Sequence, residues 1–130
     1  MNHYTTIEQS KKLLELGLNP GTADMHYIKI IRENDVIYMP ELLYEDKEYD
    51  IPCWSLGALL EVMPKSLEDE VNYYEITVYY SGIGCEWYLG YITIDMRRTL
   101  EVFHNTSLIE AAYNMVVWLI ENKYLKTDKQ

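Results

Sequence analysis

The chain has 130 residues, 48% of them apolar and 25% charged, with 13 Tyr against a single Phe and a formal net charge of −10. That length fits one domain with a usable core, and the acidity argues against direct binding to nucleic acid or to an anionic membrane, both of which depend on basic patches. The longest apolar run, Met115 to Ile120, is far shorter than the roughly 20 residues of a membrane span. The start MNHYTTIEQS lacks the basic and apolar parts of a signal peptide, so a cytoplasmic location is expected.

In chain order, Thr6-Ile7-Glu8-Gln9 has the capping-box pattern of a cap hydroxyl with Gln three residues on. It predicts a helix over about 7–16 with Ile7, Ser10, Leu13 and Leu14 on one face. Gly17 is placed to close that helix in the left-handed conformation, bringing Leu18 back to Leu13. Met25 to Ile31 reads as a strand and, after a polar break, Val36 to Met39 as a second. Pro40 to Pro52 has no helical period and five acids, which predicts a surface loop with a short edge strand near Tyr49-Asp50-Ile51. Ser55 caps a short helix over about 56–63 that Pro64 stops, and Lys65 to Val71 is a polar connection.

The most distinctive stretch is Asn72 to Asp95, two aromatic and β-branched runs around Gly82-Ile83-Gly84, which predicts a central hairpin over 72–95. A two-residue loop at Gly82-Ile83 sets Tyr80 against Cys85, Val78 against Trp87, Ile76 against Leu89 and Tyr74 against Tyr91, all on one apolar face. Tyr73, Tyr79 and Tyr88 fall on the other face. Past Gly90 the apolar positions become Ile92, Ile94 and Met96, which predicts a bulge. Arg97 to Asn105 is either the end of that strand or an additional one. Ser107-Leu108-Ile109-Glu110 is a second capping box, opening a helix over about 108–122. Tyr113, Val117 and Trp118 spill outside its apolar stripe, so this helix is either central to the fold or partly covered by another chain. Together these elements predict a single α+β domain over 1–130, an antiparallel sheet of three to five strands built on the hairpin, with three helices mainly on one face.

No catalytic constellation emerges, and neither a metal nor another cofactor is expected. His3, His26 and His104 have no i, i+4 partner for zinc; Asp24 with His26 is the nearest approach to a ligand pair. Cys53 and Cys85 lack paired spacing and read as reduced, mostly buried thiols. Charge is more informative. From Glu41 to Glu75 there are ten acids and two bases, which is −8 of the −10. Glu41, Glu45, Asp46, Glu48, Asp50, Glu68, Asp69 and Glu70 either form a solvated face or imitate a nucleic-acid backbone and fill the basic groove of another protein. Tyr73, Tyr79 and Tyr88 are either covered within the fold or form an aromatic patch for self-association as a homodimer.

In Thr6 to Lys11, Thr22-Ala23-Asp24-Met25, Trp54 to Leu60 and Glu110-Ala111-Ala112 the chain resembles a group of small uncharacterised proteins from gut bacteria and their phages and prophages. The resemblance implies a phage or mobile-element setting and supplies no site residues. The expected function is a non-enzymatic protein–protein interaction module of phage type, an acidic inhibitor of a host factor being its sharpest form. The alternative is a small-ligand binder, for a nucleotide for example, with Tyr and Trp lining a pocket between sheet and helices or at a dimer seam.

Overall fold

A computed structural model of the chain describes residues 2–42 and 51–127. Helix α1 (Ile7–Glu15) begins on the Thr6 capping box: Gln9 N–H donates to the Thr6 hydroxyl, and the Thr6 N–H donates to the Gln9 side chain. It closes as expected, with Gly17 at φ 95° and the Leu18 N–H on the Leu13 carbonyl at 3.0 Å. A single 3₁₀ turn over Pro20–Thr22 then leads into β1 (Met25–Arg32), which pairs antiparallel with β2 (Asp35–Leu42). Among the described residues β3 (Ile51–Cys53) adds to the other side of β1, opposite Met25 to Tyr27. The strand order of this first sheet is β2-β1-β3.

Ser55 caps α2 (Leu56–Val62) through the Ala58 N–H. The second sheet, ordered β4-β5-β6-β7, comprises β4 (Ser66–Glu68), β5 (Tyr73–Ser81), β6 (Glu86–Ile92) and β7 (Thr99–Asn105). Helix α3 (Leu108–Glu121) packs on β6 and β7, and α2 packs on α3. The fold is therefore α+β, with a hairpin-based sheet of four strands. Residues 25–42 and 51–53 form a separate sheet instead of joining it, because β1 finds its neighbours in β2 and β3.

Four local expectations change. The hairpin loop spans residues 82–85, so the register sets Tyr79 opposite Tyr88, Val78 opposite Leu89 and Tyr80 opposite Trp87. Relative to the expected pairing this is a slip of two residues, and an even slip leaves every side chain on its face. Polar Ser66 to Glu68 pairs with β5 instead of forming a mere connection. Ladder pairing with β6 ends at Ile92; the irregularity against β7 lies between Tyr91 and Ile92, and Ile94 and Met96 are exposed beyond it. The Ser107 hydroxyl makes no capping bond, and the reciprocal arm of the box is replaced too: the Ser107 N–H donates to Asn105 Oδ1 at 2.9 Å, and the Glu110 carboxylate accepts from the Gln9 side-chain amide at 2.9 Å.

The core lies between the inner face of the four-stranded sheet and the helices: Leu13, Trp54, Leu59, Met63, Leu89, Tyr91, Met115, Val116 and Leu119 are buried together. Gly90 permits the close approach of β7, because a Cβ there would sit 2.9 Å from the Glu101 carbonyl and 3.0 Å from the Val102 side chain. A buried polar knot ties the N-terminus to both sheet and helix. The Thr5 carbonyl accepts from the Tyr27 hydroxyl at 2.6 Å, and the Thr5 hydroxyl meets Ser10 at 2.8 Å and accepts from the Trp54 N–H at 3.1 Å.

Candidate interaction surfaces

The residues singled out on the hairpin are divided by the fold. Tyr79 and Tyr88 meet across β5 and β6 with ring centroids 5.0 Å apart and planes within 3°. His104 on β7 extends the stack, 5.2 Å from Tyr88, and its Nδ1 lies 2.6 Å from Glu86 Oε2. Three rings thus form a ladder across three strands on the outer sheet face. This spacing is the interstrand distance itself, so each ring lies against its neighbour and presents its polar edge outward. Tyr73 shares the face but stands six residues along β5, roughly 20 Å away, where it lines an open pocket with Val71, Ile94 and Arg98. His104 and Glu86 escaped the sequence reading because their meeting depends on the register of β7, for which no local pattern exists.

The inner face is covered unevenly. Tyr74, Leu89 and Tyr91 are buried, but towards the tip Val78 and Tyr80 reach past the helix into solvent. Cys53 is buried, and burial pushes its thiol up. Cys85 is exposed, contrary to the expectation of a mostly buried thiol, because the four-residue turn places it at the tip with φ 55°.

A second surface is the β1–β2 ribbon. Ile28 opposes Met39 and Ile30 opposes Ile37 on one face, while Ile31 opposes Val36 and Lys29 opposes Tyr38 on the other. β3 stops short of these pairs among the described residues, and Ile31, Val36, Ile37, Tyr38 and Met39 are all exposed, Ile31 to 72%. The apolar content read there as strand-forming is therefore largely on the surface.

The acidic residues fall in different places. Glu41 is on β2, in the three-stranded sheet; Glu68 ends β4 in the other sheet, and Asp69 and Glu70 follow it. Glu45, Asp46, Glu48 and Asp50 lie outside the described residues; of the short edge strand expected near Tyr49-Asp50-Ile51, Ile51 opens β3 at the edge of the three-stranded sheet, and Tyr49 and Asp50 lie outside the described residues. Asp69 organises a turn: it accepts from the Asn72 N–H at 2.7 Å, the Val71 N–H at 2.9 Å and the Tyr74 hydroxyl at 2.7 Å. Those donors, Asn72 first, hold its carboxyl below the usual carboxylate range. Asp24 is engaged with the start of α2, one oxygen accepting from the Ser55 N–H at 2.9 Å and the other from the Ser55 hydroxyl. Among the described residues no group of three or more His, Cys, Asp or Glu side chains is arranged to hold a metal ion, and no helix is long and apolar enough to cross a membrane.

Between α3 and β7 lies a groove of about 390 Å³ lined by Phe103, Tyr113, Val117, Trp118, Glu121 and Asn122. This is where the residues outside the apolar stripe of α3 go. They are half-buried against Phe103, and Tyr124 stacks on Trp118 at 5.3 Å. Comparison of the chain with family models, with curated proteins and with solved structures finds no match, so the functional reading rests on these surfaces.

Proposed function

We propose that the chain is a non-enzymatic protein–protein interaction module of phage type that holds a host protein against its β1–β2 ribbon. The observation that carries this reading is the exposure of Ile31, Val36, Ile37, Tyr38 and Met39 on a ribbon of two strands. Ile37 and Met39 lie on one face of the ribbon and Ile31, Val36 and Tyr38 on the other; exposed apolar surface marks interaction sites, and a two-stranded ribbon is marginal in water by itself. A partner with a basic surface suits the net charge of −10, which speeds encounter and makes capture salt-dependent. Glu41 lies on β2 itself, so acidic and apolar determinants meet on one strand. The resemblance to small proteins of gut bacteria and their phages supports a cytoplasmic role in blocking a host factor.

Affinity capture from gut-bacterial lysate is the test. The wild-type chain is expected to retain a partner at low salt and release it at high salt, and the double variant Ile37→Ser, Met39→Ser to retain none while melting at the same temperature. No partner at low salt, or undiminished capture by the double variant, overturns the reading. Light scattering is expected to give a monomer; a dimer abolished by the same two substitutions makes the ribbon a self-association arm instead. Tyr88→Ser separates the ribbon from the outer-face ladder, since it leaves ribbon-dependent capture intact.

A further inference from the structure

The groove between α3 and β7 combines three features that favour one kind of ligand. Its walls are aromatic: Phe103 comes from the inner face of β7, and Tyr113 and Trp118 from the exposed flank of α3, with Val117 between them. Besides the Tyr113 hydroxyl, its polar side chains are the carboxylate of Glu121 and the neutral amides of Asn114 and Asn122, so its one formal charge is negative. Glu121 stands one turn beyond Val117, and the Asn122 side-chain amide donates to the Trp118 carbonyl at 2.9 Å, leaving its own oxygen as an acceptor. Its position is the C-terminal end of α3, the negative pole of the helix dipole, where the closing turn pairs the Trp118, Leu119 and Ile120 carbonyls. The last turn of α3 carries no basic residue to offset that charge; Lys123, just beyond the cap, is exposed. Burial first, and then the carboxylates Glu110 and Glu121, push the Tyr113 hydroxyl up.

From this convergence we infer that the groove is a binding site for an alkylated ammonium group, with Phe103, Tyr113 and Trp118 as its aromatic walls and Glu121 as its counter-ion. An alkylammonium spreads its charge over methyl groups that lie against ring faces, where the ring quadrupole attracts them, and it is weakly enough hydrated to leave water. Tyr124, stacked on Trp118 with planes 24° apart, sets the indole plane before a ligand arrives, which lowers the ordering cost of binding. A volume near 390 Å³ is at the small end of ligand sites and suits a head group better than a whole nucleotide. A phosphate is disfavoured by Glu121 and by the helix end. The same head group occurs on free quaternary amines and on methylated lysine in a protein tail. The site is separate from the ribbon, and neither inference depends on the other.

Titration followed by NMR tests this, reading the Val117 methyl signals and the Trp118 indole N–H. Three probes are compared: choline, a peptide bearing trimethyl-lysine, and the neutral tert-butyl analogue of choline. Either cation is expected to give saturable shifts at both signals, and the neutral analogue to bind at least about threefold more weakly, the least that loss of a cation–π contact removes. Glu121→Gln, an exposed change that leaves the fold intact, should weaken cation binding by about threefold, and Trp118→Leu by about tenfold. Tighter binding of the peptide identifies a protein tail as the source, and tighter binding of choline a free amine; both uphold the site. Equal binding of the neutral analogue, affinity unchanged in Glu121→Gln, or shifts that never saturate would overturn it.

Discussion

The hairpins β1–β2 and β5–β6 both pair strands of seven to nine residues around short turns, yet they acquire different company. β5–β6 gains β7 along one edge, β4 at the base of the other and α3 over one face. Among the described residues β1–β2 gains the three residues of β3, at its base. As a result the same kinds of side chain end up in opposite places: Leu89 and Tyr91 have no exposed surface, while Ile31 and Val36 keep 72% and 53% of theirs. Strand-forming sequence is common to both hairpins, and what separates core from surface is whether a further element arrives to cover it. The hairpin with cover holds the fold together, and the one without it is the better place to look for a partner.

The sharpest way to break that comparison is to truncate one apolar side chain on each hairpin. Leu89→Ala removes a side chain packed on all sides and should cost about 2–5 kcal/mol in denaturant unfolding. Ile37→Ala, on the ribbon, should stay within about 0.5 kcal/mol. Comparable losses would mean that the ribbon is already packed in the free chain, and its role as a docking surface would fall with the comparison. A second pair of variants probes how tightly β7 joins. Gly90→Ala forces a Cβ to 2.9 Å from the Glu101 carbonyl, backbone that cannot swing aside, and should cost about 1–3 kcal/mol. Gly82→Ala, with nothing within 4 Å, should be close to neutral.

Much of this architecture is legible in the sequence because its signals are local. The Thr6 capping box, the Gly17 closure and the Ser55 cap each need only four to six consecutive residues, and each forms as its pattern dictates. The faces of β5 and β6 were legible too, even with the loop two residues longer than expected, because alternation survives an even slip. What was hidden depends on pairing over long separations. Nothing near His104 indicates that β7 will set it against Tyr88, and nothing near Met25 indicates that Cys53 will lie opposite and start a second sheet. The groove was half visible: Tyr113, Val117 and Trp118 stood out from their helical stripe, but Phe103, which completes it, comes from another element. The incomplete box at Ser107 has this origin in part: Gln9, from far along the chain, holds the Glu110 carboxylate, while the nearby Asn105 takes the Ser107 N–H.

The end of α3 is a smaller instance of local strain accepted within the covered half of the molecule. Lys123 takes the left-handed position, φ 63°, so that the Tyr124 N–H reaches the Leu119 carbonyl at 2.8 Å and Tyr124 can stack on Trp118. Glycine occupies that conformation without the Cβ clash, so Lys123→Gly should stabilise the chain by about 1 kcal/mol while leaving the groove signals of Trp118 in place. A loss of stability would mean that the lysine side chain contributes more than its backbone costs.

The acidic residues allow the same distinction between structural and surface roles to be made by titration. Asp69, exposed like its neighbour Glu70, holds the turn into β5 through three donors. Because those donors stabilise the charged carboxylate, the folded chain lowers the Asp69 pKa below its ordinary value of 3.8. The resulting stabilisation is complete above the unfolded value and disappears as pH falls through the folded one. In Asp69→Asn one oxygen remains to accept from the Val71 and Asn72 N–H groups, but an amide nitrogen faces the Tyr74 hydroxyl and the charge is gone. Its melting temperature should therefore lie below wild type at neutral pH, and the gap should close as the pH drops below the ordinary carboxylate range. Glu70→Gln should show no such closing gap. If both variants track wild type at every pH, Asp69 belongs with the solvated acids, and its carboxylate would be returned to the surface available to a partner.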